Sequence, residues 1–330
     1  MIRAHPGPAS PAWDTRPLAE SFGLEVLGAP RAVPSLKGAE VAQAILKHGV
    51  VVLRGFAATS AEFESLTTRI TPSFMVHVGL GRDFISEDKT TQSVAKGIDY
   101  IPAHIERGYA PPVPRFVFFY CARPADSGGE TTVYDGYDVY AALDAETRGY
   151  ISSTKLRWLL RLAPEVWTDA FQTTDKAVAL SRLHRQVVGL GKNDPGTEVK
   201  ASFDGPILML DYLTPATYRS GRRPGESLAN SALSYLLRRQ GHEHTVELRN
   251  AEGTPYPADV LAEIRECSEQ VVRPLAWSAG DVACIDNRTV MHGRRAFEDP
   301  LRSIYIRLGM EPPAGGFWSR LANAFKVIAG

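Results

Sequence analysis

The chain has 330 residues, 44% of them hydrophobic, with 37 basic residues balanced by 37 acidic ones. A length sufficient for a large core, zero net charge and no lysine or arginine block argue against a nucleic-acid partner and against an acidic membrane surface. No stretch approaches the roughly 18 apolar residues of a spanning helix and the N-terminus has no apolar signal core, so the expected location is cytoplasmic.

Residues 1–37 read as a proline- and alanine-rich arm that reaches its first strand at Phe22-Gly-Leu-Glu-Val-Leu. Val41, Ala44, Ile45 and Leu46 lie at helical spacing within Gly38 to Lys47, Gly49 ends that helix, and Val50 to Phe56 is a β-branched strand run. A second helix opens at Thr59-Ser60, with Ser60 as the expected cap. Thr71 to Tyr100 has no period, and long irregular segments of this kind tend to carry function. Arg115 to Cys121 is a strand, Pro124 to Glu130 a turn and Thr131 to Tyr134 a strand, followed by one helix over Tyr137 to Ile151.

Between about 150 and 240 the signals mix. Strands are expected at Leu156 to Leu162 and Ile207 to Asp211, with helices over Lys176 to Val188 and Glu226 to Gln240. A strand at His244 to Arg249, a helix over Pro257 to Glu269, a strand–turn–strand over Leu275 to Asp286 and a closing strand at Arg302 to Gly309 complete the pattern. Many short strands with helices outside them indicate a mainly β protein, a double-stranded β-helix or jelly-roll barrel. It would form one domain over 38–312, with the 150–240 region inserted over the barrel mouth. Residues 313–330 carry Phe317, Leu321, Phe325 and Ile328 as an apolar stripe at helical spacing, expected to dock on the barrel or on another subunit of a homo-oligomer. The cysteines Cys121, Cys267 and Cys284 are far apart and outside any CxxC pattern, and are expected to be reduced and buried.

His104 and Glu106 are two residues apart, so on a strand they point to one side. With 8 histidines and 37 acidic residues, about one such pair arises by composition alone. His292, in Asp286-Asn-Arg-Thr-Val-Met-His292-Gly-Arg just past a buried strand, adds a second imidazole. Two histidines and one carboxylate form the ligand set suited to a non-haem ferrous iron with open positions.

The ordered elements His104-Ile-Glu106, Gly128-Gly-Glu-Thr131, Asp286-Asn…His292-Gly-Arg and Arg302 resemble the taurine dioxygenase (TauD/TfdA) and clavaminate synthase-like branch of the Fe(II)/2-oxoglutarate-dependent oxygenases. The resemblance runs from about Val50 to Gly309. It implies that His104, Glu106 and His292 are catalytic and hold Fe(II), leaving positions for 2-oxoglutarate and O2. Arg302 would fork onto the far carboxylate of 2-oxoglutarate, with Thr131 donating a hydrogen bond to it.

Oxidation of a small molecule would accompany formation of succinate and CO2. Glu106 stands where related halogenases carry a small residue, so hydroxylation is the expected outcome, of an amino acid or a natural-product intermediate, free or carrier-bound. Desaturation, ring formation and epoxidation use the same ligands, and a catalytically silent jelly-roll binding protein is the alternative from another class.

Family members carry a second arginine four residues after the first to grip an acidic substrate; here that position is Ile306, which argues against a sulfonate or simple acid. Arg307 would face the other side of a regular strand. Phe74, His77, Gln92, Ser93, Tyr109 and Arg307 are the candidate substrate residues. Arg294 and Arg295 are expected in structural pairs, and His184 on an amphipathic surface. His242 and His244 are read as a solvent-facing edge pair, with cupin-like metal binding as the competing role.

Overall fold

The computed structural model describes residues 13–76, 82–188, 196–235 and 246–311. Its first strands are β1 (Asp14–Pro17), β2 (Leu24–Leu27) and β3 (Val50–Arg54), with helix α1 (Gly38–His48) before β3 and α2 (Ser60–Ile70) after it. Two-residue strands β4 (Phe74–Met75) and β5 (Gln92–Ser93) punctuate the irregular segment, which leads into β6 (Ile101–His104), β7 (Phe116–Arg123) and β8 (Thr131–Asp135). Helices α3 (Gly136–Ala142) and α4 (Ala145–Ser153), β9 (Lys155–Leu162), α5 (Pro164–Phe171), α6 (Lys176–Val188), β10 (Glu198–Asp204), β11 (Ile207–Pro215) and β12 (Val246–Arg249) follow. The last elements are α7 (Ala258–Val271), β13 (Arg273–Leu275), β14 (Val282–Asp286), β15 (Val290–Arg294) and β16 (Ser303–Gly309).

Strands β1-β2-β3-β14-β7-β16-β4, with β5 also on β16, make a major sheet; β13-β8-β15-β6 make a minor one. These two sheets face each other as the jelly roll. Every second residue of the major sheet, Val50, Val52, Val117, Phe119, Cys121, Ala283, Ile285, Ile304, Ile306 and Leu308, meets Val133, Leu275 and Val290 of the minor sheet. The alternate residues, among them Val51, Leu53, Phe116, Phe118, Val282 and Cys284, turn outward and are covered by Val41, Ile45, Phe63, Leu66 and Ile70 of α1 and α2. Period-two burial on both faces explains why these strands are apolar throughout rather than alternating.

The region expected as an insertion supplies a third layer. β10-β11-β9-β12 form a separate four-stranded sheet. Its Leu156, Trp158, Leu160, Leu208, Leu210 and Tyr212 pack with Ala103, Ile105, Tyr134 and Met291, the outer face of the minor sheet. The site-bearing sheet is thus the middle layer.

Several sequence expectations are corrected. The cap of α2 is Thr59, not Ser60: Thr59 accepts from Glu62 N while Glu62 accepts from Thr59 N, a reciprocal capping box. The helix expected over Tyr137 to Ile151 is two, because Asp144 caps a new one through Thr147 N at 2.7 Å. Residues 226–232 are irregular instead of helical, since their polar side chains are spent on distant backbone. Ser227 donates to Thr289 O, Asn230 to Ala216 O and Ser231 to Ile105 O. Strands β1 and β10 and helix α5 carry no strong sequence signal. The three cysteines are free and buried. His242, His244 and the C-terminal stripe lie outside the described residues. Among those described, no helix is long and apolar enough to cross a membrane.

Trp158 is fully buried. Trp158→Ala is expected to lower stability by about 3–5 kcal/mol, measured by urea unfolding.

Candidate metal and cosubstrate site

His104 and His292 are direct cross-strand partners in the β6–β15 pair. Both therefore point to the same face of the minor sheet, and their ring centroids lie 4.4 Å apart. Phe119, from the inner face of the major sheet, meets His292 edge-on at 5.2 Å, so the pair projects into the interior between the sheets. His292 follows the buried strand β14, as expected, and lies on the next strand, β15. Glu106 follows the end of β6 and joins them: one ligand atom from each of the three residues lies within 4.8 Å of the others.

The supports of this trio are local. His104 Nδ1 donates to Pro102 O at 2.8 Å, a carbonyl that can only accept, which makes Nε2 the lone-pair nitrogen suited to a metal. Asn287, fully buried, accepts from Glu106 N at 2.8 Å and donates to Glu106 O at 3.1 Å and Pro114 O at 2.9 Å. Asp286 accepts from Arg115, from Arg288 N at 3.1 Å and from Thr289 Oγ1 at 3.0 Å, closing the tight turn that launches β15. The Asp-Asn pair thus ties the two arms of the trio together. Gly293 is required where it stands, because an added Cβ would lie 2.5 Å from Ile101 O and 2.9 Å from Thr132 Oγ1.

Burial pushes the His292 imidazole well below its ordinary range, with nearby His104 adding to the effect. A neutral imidazole is the form that ligates a metal, and two neutral imidazoles with a carboxylate fit a divalent iron with oxygen ligands. Glu106 also takes Nη2 of Arg82 on both oxygens at 3.1 Å, a partner that sequence reading missed because nothing in residues 71–100 has a period.

A second polar cluster sits at the β8–β15–β13 end of the same interior. Thr131 is opposite Arg294 on one side and Leu275 on the other. Its hydroxyl accepts from Trp277 Nε1 at 3.1 Å, which leaves its own O–H to donate elsewhere. Arg302 Nε donates to Gly129 O at 2.8 Å, and its guanidinium stacks on Phe297 at 5.1 Å, as does that of Arg294 at 5.2 Å. Burial and the like charge of Arg294 push Arg302 down to about 10. An arginine under that pressure favours an anion. Gly129, at φ +68°, gives Arg302 its place: a Cβ there would lie 2.9 Å from Arg302 Cδ.

The substrate candidates divide. Gln92 is buried and pairs with Ile306, so it shares the interior face; Ser93 pairs with Tyr305, on the other face, and accepts from Asp83 N at 2.8 Å. Phe74 and Arg307 are not brought to the trio. They stack on one another at 3.7 Å on the outer face, where Arg307 donates to Glu64 O, Thr67, Thr68 and Thr90 and fastens α2 to β16. Tyr109 packs edge-on against Trp158 in the third layer, and His77 lies outside the described residues. Arg294 holds the carbonyls of Ala95 and Asp99, and Arg295 pairs with Glu269, both structural.

Comparison with known proteins agrees with this geometry. The family described as "Taurine catabolism dioxygenase TauD, TfdA family" matches residues 14–308. A clavaminate synthase-like protein of Arabidopsis thaliana is 26% identical over 78% of this chain and 80% of its own length. The dapdiamide synthesis protein DdaC of Enterobacter agglomerans is 24% identical over 76% and 79%. Among solved structures, PvcB of Pseudomonas aeruginosa superposes with a TM-score of 0.57 at 18% identity, covering 94% of this chain and 95% of that one. A taurine dioxygenase of Burkholderia xenovorans does so with 0.58 at 18% identity, covering 93% of each. At such identities the solved structures establish the shared fold.

The depressed His292 has a thermodynamic sign. Below about pH 6.5 the unfolded chain takes up a proton that the folded, metal-free protein refuses, so stability falls on acidification by up to about 1.4 kcal/mol per pH unit for this group. Urea unfolding of metal-free protein across pH 5–7 is expected to show that slope, reduced in His292→Gln.

Proposed function

Because the chain belongs to the TauD/TfdA family, we propose that it hydroxylates an unactivated C–H bond of a small molecule, an amino acid or natural-product intermediate, with iron held by His104, Glu106 and His292. Family membership makes it an Fe(II)- and 2-oxoglutarate-dependent dioxygenase. The observation that carries the residue assignment is the convergence of two imidazoles and a carboxylate within 4.8 Å, with Glu106 and His292 buried and His104 half-buried.

Iron and 2-oxoglutarate, when bound, supply the oxidising power by coupling decarboxylation to succinate and CO2 with the use of O2. The chain's own groups do the rest. His104 is kept in the ligating tautomer by Pro102 O, His292 is kept neutral by burial, and Glu106 is held by its backbone on Asn287. Arg302 and the O–H of Thr131 are the donors matched to a carboxylate at the far end of 2-oxoglutarate. Phe119 and the apolar layer around it exclude water from the reacting volume. Glu106 occupies the ligand position that halide would need, which supports oxygen transfer. A natural-product substrate is supported by two of the relatives: one is named for dapdiamide synthesis, and PvcB is described as an oxygenase from an isonitrile synthetic pathway.

The reading is tested by succinate formation with Fe(II), 2-oxoglutarate and O2 while amino acids and their acylated or carrier-bound forms are screened for a mass gain of one oxygen. His104→Ala and His292→Ala are each expected to lose at least about 100-fold of the succinate yield. Turnover undiminished in either variant would sink the assignment. Asn287→Ala removes three hydrogen bonds at Glu106 and Pro114 but no ligand. It is expected to weaken Fe(II) binding by about 10–100-fold, read by equilibrium dialysis.

A further inference from the structure

Arg82 is a buried cation beside the proposed metal ligands, and neither iron nor 2-oxoglutarate gives it a role. Its side chain is 7% exposed, as is that of Glu106. It meets Glu106 through one corner only, Nη2 donating to both oxygens at 3.1 Å. Nε and Nη1 are buried and have no hydrogen-bond partner among the described residues. A guanidinium binds a carboxylate best with two nitrogens side by side. Nη1, which lies beside Nη2, remains unspent on that edge, and Nε–H remains unspent on the other flank.

The position of Arg82 is fixed by its neighbour. Asp83 N donates to Ser93 Oγ at 2.8 Å and Ser93 N donates to Asp83 O at 2.9 Å, which fastens this backbone to β5. β5 in turn pairs with β16, placing Gln92 opposite Ile306. Ile306 stands where the family pattern carries its second arginine. Arg82 is thus carried by the segment lying against that strand.

Charge balance points the same way. Ferrous iron, Glu106, the two carboxylates of 2-oxoglutarate and Arg302 cancel when assembled. Glu106 then serves the iron, and two buried arginines remain: Arg294, held by the carbonyls of Ala95 and Asp99, and Arg82, whose Nε and Nη1 have no partner among the described residues, a costly state unless an anion accompanies it.

We propose that Arg82 anchors an anionic group of the primary substrate, a carboxylate, through its Nη1–Nη2 edge, with Nη1 donating one bond and the second N–H of Nη2 the other, while the first N–H of Nη2 keeps one oxygen of Glu106. This rests on the iron and 2-oxoglutarate reading and narrows its substrate class to carboxylates such as amino acids. The probe is acetate, with acetamide as its neutral counterpart, titrated under nitrogen into the protein loaded with Fe(II) and 2-oxoglutarate while the visible charge-transfer band is followed. Acetate is expected to shift the band saturably and acetamide to leave it unmoved. In Arg82→Gln the band should still form, with the acetate response weakened at least about tenfold; Arg82→Lys, which keeps charge but loses the fork, should fall between.

An acetate response undiminished in Arg82→Gln, an equal response to acetamide, or none in the wild type overturns the proposal. Loss of the band in Arg82→Gln also overturns it, by making Arg82 a support for Glu106 instead. Absence of the band in the wild type is a different failure: it removes the iron and 2-oxoglutarate reading, and this proposal with it.

Discussion

The pairing of His104 with His292 across β6 and β15 is the contact on which the rest of the site depends. Side chains on a strand alternate faces, so a slip of one residue would send one imidazole into the interior and the other toward the third sheet. Register is held from several sides. Ile101 O approaches Gly293 too closely for any larger residue, and Ile105 is bonded at its N–H by Asn230 O and at its carbonyl by Ser231. Asn287 then fixes the step from β6 to Glu106. The carboxylate arrives beside the imidazoles because of backbone bonds, with little demand on its own rotamer.

Around that pairing, charge is distributed with economy. Each interior arginine is given a different kind of neighbour: Arg302 a carbonyl and a ring, Arg294 two carbonyls and the same ring, Arg82 a carboxylate. Of these three, Arg82 is the one that meets a carboxylate, and it shares that carboxylate with the trio. Arg302 is pressed down to about 10 by burial and by Arg294, so its donors have already borne their desolvation in folding, the state that suits them to the anion proposed for them.

Much of this was legible in the sequence, and the reasons differ by element. His104 and Glu106 were visible as a pair because strand alternation imposes their spacing, whereas His292, the Gly128-Gly129 element and Arg302 stood out through the ordered pattern that resembles the family. The jelly roll was visible because its inner strands are apolar on both faces. The role of Arg307 was half visible: period two placed it opposite the interior, but its threonine partners on α2 lie more than two hundred residues away in the chain. Arg82 was invisible because it sits in a stretch without period, fixed by Ser93. The irregular course of 226–232 was also hidden, since the seeming helix spends its serines and asparagine on carbonyls that only the folded chain brings near.

The middle position of the minor sheet makes β6 a two-sided strand, with Ala103 and Ile105 set among Trp158 and Leu228 on one face and His104 on the other. A protein interior packs too tightly to absorb volume changes locally. For anyone redesigning this scaffold, the third sheet is consequently coupled to the trio: a change of side-chain volume there displaces the backbone that carries His104. A library that varies the packing of that sheet samples the geometry of the trio as well.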